Sequence, residues 1–282
     1  MRGSQGDLKG AMDALCEAYR SRAALDADPI SVPMGYAEAM DRELASWVAA
    51  HLAYGRVAPM LKAIRRLLSP LGKSPTDWLR SRTEAEIEDE LRRSLGGWVW
   101  RFHTLGDMVA WLMAWKRMDA SSGFSGMESL VLPRAGERPD EKLSELINGL
   151  RQSLPQSPGI RFNLPDPLKG AACKRWRMFL RWMVRRGWPD FGIWKDYPAA
   201  ELVIPLDTHV HRISRLIGLC SRRSPDAAAA AEITAALKEL DPTDPVKYDF
   251  ALAHLGIMGG CAGKKCAQCV DCPLVGLCLG DN

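Results

Sequence analysis

Five cysteines fall within eighteen residues, Cys261, Cys266, Cys269, Cys272 and Cys278, with four, two, two and five residues between them. Soft thiolates at such spacing hold a structural zinc ion or an iron-sulfur cluster, and five thiols compete for four ligand places. A zinc ribbon or finger pairs one C-x2-C with a second pair on a separate hairpin or helix. Here the thiols belong to one compact loop, which points to a [4Fe-4S] cluster, with zinc as the alternative. A run of exposed thiols without metal would be an oxidation liability. Cys16, Cys173 and Cys220 stand far apart and read as small buried apolar residues.

Upstream, Lys174, Arg177, Arg181 and Arg185 follow at steps of three, four and four, which places them on one helix face, opposite Trp176, Phe179, Leu180 and Met183. Residues 165–223 contain twelve Lys and Arg against five Asp and Glu, whereas the whole chain nets only +4. One sign dominating a face is either a solvated surface or a grip on a nucleic-acid backbone. Asp207 follows Pro205 and opens a helical pattern, the position of an N-cap.

Cys269-Val-Asp-Cys272-Pro-Leu followed by Cys278 resembles the cluster loop of the endonuclease III and adenine glycosylase branch of the helix-hairpin-helix DNA glycosylases, whose pattern is C-x6-C-x2-C-x5-C. Ile204-Pro-Leu-Asp-Thr-His-Val-His-Arg-Ile213 is similar to the V-D-T-H-V-x-R stretch that carries the superfamily's catalytic aspartate, and Gly170-Ala-Ala-Cys-Lys174 stands in the place of its phosphate-gripping hairpin, G-V-G-x-K. Residues 179–185 and 202–209 look like the signature of a bacterial branch with no known substrate. The chain departs from the pattern in four places. Cys261 lies one residue too far upstream, Ala172 replaces the second glycine, Lys169 replaces the preceding proline, and the interval from Lys174 to Asp207 needs an insertion around Gly187 to Tyr197.

The resemblance implies a DNA base-excision glycosylase acting on a flipped, damaged or mispaired base in double-stranded DNA. Asp207 would stabilise the oxocarbenium-like sugar, and Lys174 would form the Schiff base of an abasic-site lyase. The amides of Gly170 and Ala172, with Arg177, Arg181 and Arg185, would hold phosphates, and Tyr54 or Arg56 would wedge into the opened duplex. Cys261, Cys269, Cys272 and Cys278 would ligate the cluster, with Cys266 as the alternative to Cys261. Two rival functions remain: a DNA- or RNA-binding module that has lost the chemistry, and an iron-sulfur electron carrier.

These residues need helices to position them. Apolar residues recur at helical spacing nearly throughout, as in Leu44, Trp47 and Val48 or Met108, Leu112 and Trp115, while strand alternation is almost absent. An all-α, two-lobed fold of roughly ten helices is expected. Residues 41–165 would form a helical barrel lobe, and residues 11–40 with 215–260 a second lobe on the cluster side. Residues 166–214 would carry the hairpin and the aspartate, 261–282 the cysteine loop, and 1–10 a disordered tail. Five helix breakers between Leu150 and Lys169 mark the crossover. With 282 residues, 47% apolar and 26% charged, the composition is globular and excludes a collagenous or disordered chain. No segment approaches the ~20 apolar residues of a membrane span, and no leader is evident, so a cytoplasmic monomer is expected.

Overall fold

The computed structural model describes residues 5–264 and 267–279, with side chains from residue 7 onward. It is mostly helical. The chain begins with α1 (Gln5–Tyr19) and α2 (Arg22–Asp26), then α3 (Ala39–His51), α4 (Val57–Leu68), α5 (Pro75–Arg80) and α6 (Glu84–Leu95). A two-stranded antiparallel hairpin follows, β1 (Val99–Trp100) and β2 (His103–Thr104), paired Val99 with Thr104 and Trp100 with His103. Next come α7 (Leu105–Ser121), α8 (Glu128–Val131), α9 (Pro139–Ser153) and α10 (Pro158–Asn163), and then α11 (Lys174–Val184), α12 (Thr208–Leu216), α13 (Ala227–Leu240) and α14 (Asp249–Ile257).

Helix starts follow local chemistry. Thr83 with Glu86 and Thr104 with Asp107 close capping boxes on α6 and α7, satisfying amides that have no partner inside the helix. Residues 7–10, expected as a tail, belong to α1, which buries Met12 and Leu15 completely and packs on α14. Burial of those two side chains gives the segment a reason to be ordered.

Nearly all the buried apolar side chains of the described residues belong to one continuous core. Its centre is the crossing of α3, α7 and α11. Trp47 stacks on Trp111 at 4.2 Å between ring centres and meets Trp176 edge-on at 5.3 Å, while its indole N–H donates to the Trp111 carbonyl at 3.1 Å. Nearby, Glu43 accepts from the Met127 amide at 3.0 Å and the Trp194 indole at 2.7 Å. Burial pushes its carboxyl up to about 7.

Beyond Lys174, the basic face of α11 does not face solvent. Every residue from Trp176 to Val184 is buried, and each arginine meets carboxylates brought from elsewhere. Arg177 pairs with Asp140 at the start of α9. Arg181 pairs with Asp190 at 3.1 Å and with Asp249, and Arg185 pairs with Asp190 and Asp244, each at 2.8 Å. Arg177, Arg181 and Arg185, expected on DNA phosphates, are therefore internal struts, because a guanidinium left unpaired at that depth would be prohibitive. The insertion between Lys174 and Asp207 supplies part of this. Phe191 and Gly192 donate to the Trp182 carbonyl and Trp194 to that of Met183, so the strap folds back along α11 and delivers Asp190.

Candidate active site

Asp207 caps α12. Its Oδ1 accepts the amides of His209 at 2.9 Å and Val210 at 2.8 Å, and its Oδ2 lies 3.1 Å from the Lys174 ammonium. Burial alone would raise the Asp207 carboxyl, but Lys174 and the Val210 amide outweigh it, and the group stays charged below its ordinary range. Lys174 is the first residue of α11. Two left-handed residues turn the chain into it, Gly170 with φ 85° and Cys173 with φ 52°. Asp166 anchors this turn by accepting from the Leu168 amide and from Ser144 and Arg151 of α9. Gly170 is exposed, with nothing near the position a side chain would take, and its carbonyl accepts from Ala227. Ala172 is half-buried beside it.

Asp207 and Lys174, with Tyr54, Arg56, Arg175 and Asp249, line a cleft of about 530 Å³. A second cleft of about 660 Å³, between α1 and the Arg185 region, touches none of these residues. Arg56 is exposed on the first cleft's wall. Tyr54 is half-buried. Its hydroxyl bonds His103 and its ring stacks on Phe102 at 5.3 Å, so it belongs to an aromatic wall and does not protrude. Phe102, at the hairpin tip, is 39% exposed.

Sequence reasoning passed over two cleft residues. Arg175 lies over the Phe162 ring at 3.6 Å and donates to the Phe162 carbonyl, and burial pulls its guanidinium down to about 10. Asp249 heads a helix that is apolar apart from His254, and a single carboxylate in such a place was the available signal.

The cysteine loop packs behind α12. Cys261, Cys269, Cys272 and Cys278 line one cavity of about 30 Å³, backed by Ile213, Leu216, Leu255 and Leu274. Cys266 lies outside the described residues. Among the described residues no three His, Cys, Asp or Glu side chains converge as a ready ligand set for one metal ion. Four thiols around one apolar-backed cavity nevertheless fit a thiolate-bound centre in donor type and number. The loop is tied to the aspartate's helix at two points. Arg212 donates to the Cys261 carbonyl and contacts His209 Nδ1 at 3.1 Å, and the Leu279 amide donates to the Leu216 carbonyl. At Gly256 of α14 the His209 ring sits 2.4 Å from the point a Cβ would occupy, so glycine is what allows the two helices to approach this closely.

Residues 28–258 match the model of a family described as "Protein of unknown function (DUF2400)", the greater part of the chain. The chain belongs to the DUF2400 family. The match takes in the Lys174 turn, Asp207 and Asp249, and stops before the cysteine loop. No curated protein and no solved structure matches significantly. Among the described residues no helix is long and apolar enough to cross a membrane.

Proposed function

We propose that this DUF2400 protein is a DNA glycosylase that extrudes a damaged or mispaired base into the cleft. The observation that carries the reading is the Asp207–Lys174 pair: 33 residues apart in sequence, the two meet at 3.1 Å inside a cleft of about 530 Å³. A charged carboxylate pinned by two amides is preorganised to stabilise the cationic sugar that develops as the glycosidic bond breaks. The Tyr54 ring on the cleft wall suits a base that has left its stack, and Arg56 suits the backbone beside it.

Duplexes carrying oxidised, alkylated, deaminated and mispaired bases test the reading, scored separately for base release and strand cleavage. Release from none of them, with binding retained, leaves a nucleic-acid-binding module. The Lys174 ammonium rests on Asp207, so attack on the sugar carbon requires that contact to open. Lys174→Gln should abolish borohydride trapping of an enzyme–DNA adduct while leaving base release partly intact. An adduct that survives the substitution gives the lyase role to another amine, and the absence of any adduct in the wild type makes the enzyme monofunctional.

The cysteine loop is proposed to hold a [4Fe-4S] cluster on Cys261, Cys269, Cys272 and Cys278. Such a group would contribute mainly to folding, bracing α12 from behind. Anaerobically prepared protein should contain about four irons per chain and absorb broadly near ~400 nm. Cys272→Ser should strip the iron, and Cys266→Ser should leave it intact. One zinc and no iron would overturn the cluster.

A further inference from the structure

The network beneath the cleft carries more carboxylates than cations. Arg181 and Arg185 face Asp190, Asp244 and Asp249, two guanidinium charges against three acids. The adjoining Lys174–Asp207 pair is balanced and supplies no spare positive charge. A buried net negative charge is relieved most readily by retaining one proton.

The hydrogen bonds locate that proton. Asp190 has both oxygens engaged, one by Arg181 and the other by Arg185. Asp244 gives both oxygens to Arg185 Nε, and its side chain is 25% exposed, so water shares its charge. Asp249 is almost fully buried and engages Arg181 through Oδ2 alone. Its Oδ1 is buried with no hydrogen-bond partner among the described residues, and the residue lines the cleft beside Asp207. A carboxylate oxygen in that position is costly, whereas a protonated one is an uncharged donor, and donation to a base requires the base to displace what covers Oδ1.

We propose that Asp249 is the acid of this cleft, holding a proton at neutral pH and passing it to a leaving base that is not already cationic. The proposal rests on the glycosylase reading for its substrate. As the bond from C1′ to the base nitrogen breaks, its electron pair stays with the base, which takes the Asp249 proton. Asp207 faces the cationic sugar. Water adds to C1′, and the proton it sheds passes to solvent, from which Asp249 is reprotonated. One water is consumed, its hydroxyl on the sugar and one hydrogen on the base. A base carrying a positive charge from alkylation leaves as a neutral molecule and needs no such acid.

Burial pushes the Asp249 carboxyl up to about 7, Arg181 opposes the rise and Asp207 adds to it. The charged and titratable groups around it are Arg181 and Lys174 from α11, Asp190 from the strap, Asp207 and His209 at the start of α12, and Asp28 from the turn before α3. His254 lies on α14 itself, and α1 contributes Asp13, which Tyr248 and Lys247 hold. Release of a neutral base should therefore slow as pH rises through about 7, when the acid form is lost.

The decisive variant is Asp249→Asn, which is neutral and keeps the size. Single-turnover release of a neutral base should fall on the order of 10²-fold or more and lose its alkaline limb, while release of a cationic alkylated base should hold near wild type. Its melting temperature at pH 8 should equal or exceed that of wild type, since a buried negative charge has been removed. Equal losses on both base classes would make Asp249 structural and overturn the proposal. Carboxyl-carbon NMR assigned by difference against the variant gives a readout free of catalysis: a carboxylic acid signal at pH 6 that titrates near 7 supports the proposal, and a carboxylate throughout overturns it. Should the wild-type protein release no base of either class, the glycosylase reading and the acid role fall together, and the NMR signal still decides whether Asp249 holds the proton.

Discussion

Asp207→Asn should lower base release by on the order of 10²–10³-fold while sparing both the fold and DNA affinity. The side chain serves two purposes that this substitution separates. As the cap of α12 it accepts two amides through Oδ1, and asparagine caps about as well as aspartate, so the helix should start where it does now. As an ion it faces Lys174 and the cleft, and the amide removes that charge. The carboxyl lies below its ordinary value of 3.8 in the folded protein. Its contribution to stability is therefore complete above that ordinary value and is lost as pH falls through the depressed folded value. Asp207 is charged across the neutral range, so a pH dependence of the rate near 7 cannot come from it and must be sought in another group. Single-turnover release, thermal melting and binding to a duplex with an abasic-site analogue check the three parts. A variant that keeps the wild-type rate would remove Asp207 from the chemistry.

What the sequence makes legible is local. The period of Leu44, Trp47 and Val48 gives α3, the five helix breakers give the crossover into the Lys174 turn, and Pro205 ahead of Asp207 gives the cap of α12. The four cysteines of the proposed cluster lie close enough in sequence for the single cavity they line to be expected. The basic stripe on α11 was legible as a face, yet the sign of its burial was not. The carboxylates that neutralise it come from residues 140, 190, 244 and 249, and no local pattern distinguishes an arginine facing water from one facing an aspartate some sixty-eight residues away. Asp249 escaped for the same reason, since its role depends on which oxygens its neighbours leave unpaired. The hairpin at 99–104 is too short to show strand alternation, and it is what carries Phe102 to the aromatic wall.

Arg181→Ala separates the two readings of that helix. Were Arg181 a phosphate contact, its loss would leave the fold intact and reduce the salt slope of DNA binding by about one unit. The structure predicts the opposite. Arg181 is 3% exposed, and its removal takes away the guanidinium that bonds Asp249 and leaves the buried Asp190 charge with only Arg185 among the described residues. Breaking a buried pair from one side costs about 3–5 kcal/mol, because the abandoned charge stays where water cannot reach it. At roughly 2–4 °C per kcal/mol for a chain of this size, the melting temperature should fall by about 10 °C. The salt slope of whatever folded protein remains should match wild type. Arg56→Ala is the paired control: Arg56 is exposed on the cleft wall, so its loss should leave melting unchanged and lower the slope by about one phosphate contact. A result with the two variants exchanged, Arg181→Ala stable but shallower in salt and Arg56→Ala unfolded but unaltered in slope, would return α11 to the DNA and take the ion-pair network out of the account of the cleft.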